Sequence, residues 1–202
     1  MLPDRFVKDY YWYRRRFIEE ALDKGFDEKR ILEVAPLLAP MIASYGPAGL
    51  NIAPFMVSFV VKEQYLSEAI TSFKRFVKNP GPNPRKSALN LLLETVYNPD
   101  KVDLRLLATH LMSRGHTWIN VSATSEVAIG ILLPPDKGAY EIRAEAWIVE
   151  EGPLYEYVNL LHDIIHVTPH GERTHPWYPA MIMKIKEIYD NSYQALGKRI
   201  YP

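Results

Sequence analysis

The chain has 202 residues, which is enough for one large domain with a substantial core. Basic and acidic residues number 24 each, so no overall charge attracts nucleic acid or an anionic membrane. The absence of cysteine excludes disulfides, thiolate metal ligands and a cysteine nucleophile. The first residues lack the apolar segment of a signal peptide, and no window approaches the roughly 18 apolar residues of a membrane span. We therefore expect a soluble, cytoplasmic protein without membrane contact.

The first part of the chain is predicted to be helical. Between Asp4 and Gly25, apolar side chains recur at helical spacing: Phe6, Tyr10, Tyr13, Phe17 and Ala21. Asp27 is placed to cap a second helical stretch, which prolines interrupt, and a third helix is predicted from Val57 to Val77. The turn-rich stretch SYGPAGLNIAPF joins the last two, and the overlapping stretch AGLNIAPFMVSF is a competing candidate for the opening hairpin of a sheet.

A break in composition divides the chain. The segment KNPGPNPRK, residues 78–86, has the proline, glycine and asparagine content of a linker. It separates a helical N-terminal region, residues 1–78, from residues 86–202, for which we expect an antiparallel sheet or barrel with one helix at 153–166. At the start of the second region, SALNLLLETVY and DLRLLATHL fit either two strands or two helical segments.

The clearest strand signal lies in EVAIGILLPPDKGAYEIRAEAWIVEE. Two β-rich runs flank the turn residues PPDKG, and the second run alternates apolar with charged side chains. This pattern indicates a hairpin with one face exposed to solvent. Gly152-Pro153 then opens an amphipathic helix. The alternation in MIMKIK favours a strand at 180–189, although a helix also fits. The predicted fold class is α+β: a helical N-terminal region packed on an antiparallel sheet, with a closed or split β-barrel as one form of that sheet.

Four of the six histidines lie in LLHDIIHVTPHGERTHPWYP, residues 160–179. On the expected helix, His162 and His166 fall on one face at a spacing that can chelate a divalent ion. With His170 or His175 as a third ligand they would form a zinc or iron site that activates water, which indicates a metal-dependent hydrolase as an alternative function. The opposing interpretation is a polar loop whose histidines are satisfied by backbone carbonyls and water.

A second alternative is a binding module without enzymatic activity. YYWYRRR, residues 10–16, interleaves aromatic side chains with arginines, as single-stranded nucleic acid requires. On one helix, however, Tyr10, Tyr13 and Phe17 fall on the core side and the arginines can form a solvated face. Together with zero net charge, this argues against nucleic acid, while a protein-binding surface stays open.

Two stretches carry a resemblance to a known family: HTWINV, residues 116–121, and YEIRAEAWIVEEGPLYEYV. Together they resemble the middle of the FMN-binding split-barrel flavoproteins, the superfamily that includes pyridoxamine-phosphate oxidase. In that family, a strand ends in a segment of threonine, serine, arginine or lysine that holds the flavin phosphate, and a turn and a hairpin follow. The resemblance implies an FMN cofactor, a small-molecule substrate, oxidoreductase activity and a homodimer with flavin at its interface.

The residues also support an anion site on physical grounds. An FMN phosphate needs roughly two negative charges neutralised by convergent donors. Hydroxyl, imidazole and guanidinium groups lie close together before the hairpin, and an indole that could cover a ring system follows them. The candidate cofactor site is Thr109, His110, Ser113, Arg114, Thr117 and Trp118. The opposing interpretation is an ordinary polar connection whose hydroxyls cap local backbone.

Overall fold

The computed structural model describes residues 1–25, 27–133, 138–166 and 176–202. Its helices are α1 (Asp4–Phe6), α2 (Tyr13–Lys24), α3 (Glu28–Leu38), α4 (Glu63–Lys78), α5 (Pro84–Glu94), α6 (His116–Ala123) and α7 (Gly152–Ile165), with a π-helical segment (Val7–Trp12) between α1 and α2. Its strands are β1 (Met41–Ser44), β2 (Asn51–Pro54), β3 (Ser58–Val61), β4 (Val102–His110), β5 (Glu126–Leu132), β6 (Ala139–Val149), β7 (Ala180–Asp190) and β8 (Lys198–Tyr201). In the described part of the chain, no helix combines the length and apolarity that crossing a bilayer requires.

The strands form one antiparallel sheet, so the predicted α+β class is confirmed. Their order is β2-β1-β5-β6-β7-β4-β3, and β8 pairs with the end of β7. The central strand β6 alternates buried and more exposed residues, as its sequence indicates. Its neighbours are β5, across the expected hairpin, and the long strand β7.

The sheet is rolled up, because its two end strands are neighbours in sequence. Laid flat, seven paired strands would separate β2 from β3 by roughly 29 Å. Only residues 55–57 connect Pro54 to Ser58, and this connection spans at most about 14 Å. The end strands must therefore approach each other. They are not paired with one another, since β2 pairs with β1 and β3 with β4 among the described residues. The result is a barrel with one gap, which agrees with the split form considered above.

The N-terminal helical segment packs its aromatic side chains against the sheet. The π-helical segment widens the turn, so that the adjacent Tyr10 and Tyr11 both face the core, where each is at most 1 % exposed. Both rings contact Phe59 of β3 edge to face. The expectation that Tyr10 and Tyr13 belong to the core is confirmed. A solvated face for the arginines is wrong for Arg14, which is 2 % exposed.

The region before residue 78 contains three strands as well as helices. The hairpin of β1 and β2 and the strand β3 interrupt the predicted helical region, and α4 begins at Glu63 rather than Val57. The sequence Ser58-Phe-Val-Val explains the difference, because β-branched and aromatic residues buried against β4 favour a strand over a helix. The competing interpretation of AGLNIAPFMVSF as a hairpin is right about extended structure but wrong about the pairing, because its strand β2 pairs with β1 and its last residues enter β3, which pairs with β4.

The second region departs from its prediction in two respects and agrees in three. SALNLLLETVY and DLRLLATHL form neither a strand pair nor a helix pair, since the first lies mostly in α5 and the second in β4. Asn83 caps α5 by accepting a hydrogen bond from the Lys86 amide at 3.1 Å, with Pro84 in the first turn. Besides the expected α7, the region thus holds α5 and α6. The hairpin at 126–149, the helix and the strand at 180–190 form as expected. Strands from both regions share one sheet. The division of the chain at residues 78–86 stays a prediction.

Candidate functional site

A cavity of about 560 Å³ opens where the barrel is split. Its walls are the inner side of β2, the connection from β2 to β3, the end of β4 with the segment that follows it, and one face of α7. The lining residues are Asn51, Ala53, Pro54, Phe55, Met56, Ser58, Ala108, Thr109, His110, Leu111, Met112, Ser113, Gly115, His116, Thr117, Trp118, Val158, Leu161, His162, Ile165 and His166. This volume is typical of sites for small molecules and cofactors.

The amino end of α6 opens on this cavity. Gly115 precedes the helix in an extended conformation, and none of the described side chains caps the first-turn amide groups. Ser113, Gly115, His116 and Thr117 all line the cavity at this end. Uncapped amide groups at a helix start form a partial positive charge that attracts anions. The stretch HTWINV was expected to match the turn of the family that it resembles, but it lies in the helix α6. The donors at its start therefore include backbone amide groups as well as side chains.

Asn120 fixes the orientation of α6. This residue is fully buried, and its side-chain oxygen accepts a hydrogen bond from the Ala48 amide at 2.9 Å. Its amide group donates to the Gly49 carbonyl at 2.8 Å, which ties α6 to the loop between β1 and β2. That loop passes so close that a Cβ on Gly46 would lie 3.0 Å from the Asn120 Cα atom, so a larger residue there would require the backbone of α6 to shift.

A second contact joins α6 to β2. The Asn51 side-chain amide donates to the Thr117 hydroxyl oxygen at 2.7 Å, and Thr117 is 5 % exposed. The hydroxyl proton of Thr117 remains available to a further acceptor, because a hydroxyl both accepts and donates. The opening hairpin therefore sets the position of the helix start relative to the cavity.

Five of the six predicted cofactor residues lie together in the lining: Thr109, His110, Ser113, Thr117 and Trp118. Their roles differ. The hydroxyl of Thr109 donates to the Met56 carbonyl at 2.8 Å, so it fastens β4 to the connection between β2 and β3. Ser113 is exposed at the mouth, while Trp118 is half buried beside it.

The sixth residue, Arg114, is not part of the cavity lining. Its guanidinium lies 2.8 Å from the carboxylate of Glu150 and stacks over the Trp118 ring at 5.4 Å from the ring centre. The Trp118 indole also donates to Glu150, at 3.3 Å. This cluster at the barrel rim orients the indole, and an Arg114 that engaged an anion in the cavity would have to leave Glu150.

Three histidines stack along one side of the cavity. His162 and His166 share a face of α7 as expected, with ring centres 4.4 Å apart, and His110 from β4 lies 4.4 Å from His162. His170 and His175, the candidate third ligands of the alternative metal site, fall outside the described residues. Within the described ranges, no group of three histidine, aspartate or glutamate side chains is arranged to hold a metal ion. The zinc or iron alternative is therefore not supported.

The rest of the described lining is largely apolar. Aliphatic and aromatic side chains from α7 and from the connection between β2 and β3 face each other across it: Phe55, Met56, Val158, Leu161 and Ile165. None of the described lining residues is acidic. An apolar chamber with anion-attracting donors at one end suits a flat organic group that carries an anionic head.

Sequence reasoning missed the contribution of β2 and the support from Asn120. The interpretation of AGLNIAPFMVSF as a hairpin carried the missing signal for Asn51, because a strand there brings its alternate residues to the inside. Asn120 lies in the quoted stretch HTWINV, but its role depends on a loop 70 positions earlier in the chain, near Gly49 and Ala48. The spacing of residues along the sequence cannot predict such a long-range contact.

Comparisons with known proteins find similarity to solved structures, but not to protein-family models or curated proteins. No protein-family model matches the chain, and no curated protein matches it. Among solved structures, HupZ of Group A Streptococcus is 14% identical, covering 83% of this chain and 96% of its own, with a TM-score of 0.47. An FMN-binding protein from Syntrophomonas wolfei is 14% identical, covering 88% and 92%, with a TM-score of 0.42. A pyridoxamine 5'-phosphate oxidase-related, FMN-binding protein from Nostoc punctiforme is 8% identical, covering 86% and 91%, with a TM-score of 0.44. Each of these proteins is similar to this chain at 14% identity or less, and the similarity lies in the fold.

Proposed function

We propose that the chain binds FMN in the cavity at the split of the barrel. The observation that carries the proposal is the uncapped start of α6 on a chamber whose described lining contains no acidic residue. The flavin phosphate would be held by the first-turn amides of α6 together with the hydroxyls of Ser113 and Thr117. The ring system would lie between the apolar walls and Trp118.

The residues present fit the group. A phosphate monoester requires several convergent donors, and the chain supplies them at one end of the cavity without a carboxylate among the described lining residues. An isoalloxazine ring requires an apolar slot, and the faces of α7 and of residues 55–57 supply it. When bound, FMN supplies hydride or electron transfer, so we propose that the chain is an oxidoreductase acting on a small molecule.

The protein would contribute binding, orientation and exclusion of water. The hydroxyl of Thr109 holds the wall formed by Met56 in place. Asn120 holds the phosphate end, because it fixes α6 to the opening hairpin. His110, His162 and His166 line the cavity beyond these donors and would contact the substrate.

We further propose a homodimer formed through the outer face of β2, β1 and β5. Cross-strand partners point to the same side of a sheet, and Met41 is paired with Pro54 on β2 and with Gly130 on β5. Ile52 and Leu132, both 61 % exposed, extend this apolar face along β2 and β5. A contiguous exposed apolar face on an edge strand is typical of an interface. It lies on the opposite side of β2 from Asn51 and Ala53, while Pro54 at the end of the strand also borders the cavity.

The test is the visible absorption spectrum of the purified protein, followed by titration with FMN. We expect flavin absorbance or, in flavin-free protein, saturable binding of one FMN per chain. Replacing Ser113 with Ala should weaken FMN binding about tenfold, since one charge-assisted hydrogen bond is lost. Ser122→Ala, at an exposed serine of α6 outside the lining, is the matched control and should leave binding unchanged. Colourless protein that does not bind added FMN would refute the proposal.

Arg114 provides a separate test of the predicted phosphate site. Because its guanidinium is engaged with Glu150 and lies outside the cavity lining, we expect Arg114→Ala to weaken FMN binding less than Ser113→Ala does. If FMN draws Arg114 away from Glu150, the order of the two effects will be reversed. The pair of variants therefore decides between recognition of the phosphate by the Ser113 hydroxyl and by the Arg114 guanidinium.

A further inference from the structure

A buried cation lies apart from the cavity described above. Arg14 of α2 is 2 % exposed, and its guanidinium donates to the Val57 carbonyl at 2.6 Å and to the Tyr10 hydroxyl at 3.1 Å. The aromatic rings of Tyr10, Phe59 and Tyr97 surround it, with ring centres 5.2–5.9 Å from its central carbon. The register of the π-helical segment turns this side chain inward.

Among the described residues, no carboxylate forms an ion pair with Arg14. None of the ion pairs among the described residues involves it, and its Nε atom is buried without a hydrogen-bond partner. Burial acts to lower the pKa of Arg14, but the adjacent Tyr97 and Tyr10 raise it above its ordinary value, so the side chain stays protonated. Buried charges in proteins are normally paired, because leaving water is unfavourable. Three ring faces and one carbonyl compensate only in part.

Arg14 forms part of the wall of a second cavity, of about 800 Å³. The cavity lies between α2, α5 and the carboxyl end of α7. Most of its lining is apolar: Phe17, Ile18, Leu38, Ala88, Leu89, Leu92, Val96, Ile164 and Ile165. Arg85 also lines it, and none of the described lining residues is acidic. The cavity thus combines an apolar chamber with two guanidinium groups.

We propose that this second cavity binds an organic monocarboxylate with an apolar body, whose carboxylate neutralises Arg14. A carboxylate accepts charge-assisted hydrogen bonds from a guanidinium, and the aliphatic lining takes up the hydrocarbon part. A purely inorganic anion would leave most of the apolar lining without a partner. An uncharged lipid would leave Arg14 without a counter-ion.

The two cavities adjoin. Met56, Ser58, Ile165 and His166 line both of them, so a thin wall of side chains separates the carboxylate pocket from the flavin pocket proposed above. The carboxylate pocket does not depend on flavin binding, since Arg14 and the lining from α5 belong to the second cavity alone. Its ligand can therefore be sought in protein without flavin.

The test is calorimetric titration of flavin-free protein with decanoate below its micellar concentration and, in parallel, with decan-1-ol. We expect saturable binding of one decanoate per chain and at least tenfold weaker binding of decan-1-ol. A factor of about ten corresponds to the loss of one charge-assisted hydrogen bond. Arg14→Gln should weaken decanoate binding by about the same factor, whereas Arg14→Lys should retain part of it. Equal binding of acid and alcohol, or no saturable binding of decanoate, would overturn the proposal.

Two further variants distinguish a loss of ligand binding from a loss of folding. Arg16→Gln removes an exposed arginine of the same helix and should bind decanoate like the original chain. Ala88→Phe leaves Arg14 in place but fills part of the cavity from α5, so it should weaken decanoate binding while circular dichroism stays unchanged. Undiminished binding by folded Ala88→Phe protein would place the ligand elsewhere and refute the assignment.

Discussion

Gly115 offers a direct way to separate flavin binding from folding. It stands immediately before α6 with backbone angles of φ −80° and ψ −160°, which any residue adopts. A Cβ built there would lie 3.2 Å from the Ser113 Oγ atom, the flexible end of a side chain at the cavity mouth. Aspartate at this position would cap the helix and add a negative charge where the phosphate is proposed to bind.

The expected effect follows from the charges. At a separation of about 5 Å, two unit charges repel by roughly 1 to 3 kcal/mol when the effective dielectric constant lies between that of water and that of a protein surface. A phosphate monoester carries roughly 1.5 to 2 negative charges, so Gly115→Asp should weaken FMN binding at least about tenfold. Relative to glycine, the new cap changes folding stability by only a few tenths of a kcal/mol.

Gly115→Asn is the matched control. Asparagine caps a helix as well as aspartate does and has almost the same shape, but it is neutral. FMN affinity should be measured for both variants by quenching of flavin fluorescence, and folding by thermal denaturation, where both should stay within about 2 °C of the original chain. If the aspartate and asparagine variants bind FMN equally well, the phosphate does not lie at the start of α6.

Three further predictions concern stability and assembly. Burial raises the pKa of four tyrosines (Tyr10, Tyr11, Tyr140 and Tyr157), so above about pH 10 the unfolded chain loses protons that the folded chain keeps, and the free energy of unfolding should fall by up to roughly 5 kcal/mol per pH unit. Urea titrations at increasing alkaline pH measure this, and a constant midpoint would contradict it. Asn120→Ala should lower the free energy of unfolding by about 2 to 4 kcal/mol, because it leaves the Ala48 amide and the Gly49 carbonyl without their partner; a loss below about 1 kcal/mol in chemical denaturation would argue against the network. Ile52→Glu should convert a dimer into the 23.3 kDa monomer in light scattering, whereas Tyr193→Glu, at a residue 93 % exposed, should not. An unchanged mass for the first variant would exclude this face.

Much of the fold could be predicted from local patterns. The alternation in the β5–β6 hairpin and in β7 is strong because each strand has one buried face, and α7 shows the matching helical pattern. The strand β3 was mistaken for the start of a helix because its residues are apolar on both faces, which removes the alternation. Periodicity cannot separate a short buried strand from a buried helix.

The candidate site could be predicted only in part, because its pieces come from separate parts of the chain. Residue types near α6 indicated an anion site, and five of those six residues do line one cavity. The position of Arg114 depended on Glu150, which is distant in sequence. The burial of Arg14 depended on the register of the π-helical segment, which no simple repeat reveals. Long-range contacts of this kind set which donors face a cavity.

The central claim is that the cavity at the split of the barrel holds the flavin with its phosphate at the start of α6. A crystal structure of the protein grown with FMN tests this most directly. We expect the phosphate within hydrogen-bond distance of the amides of His116 and Thr117 and of the Ser113 hydroxyl, with the ring against the face of α7. Flavin bound at another surface, or a phosphate that contacts none of these groups, would contradict the account.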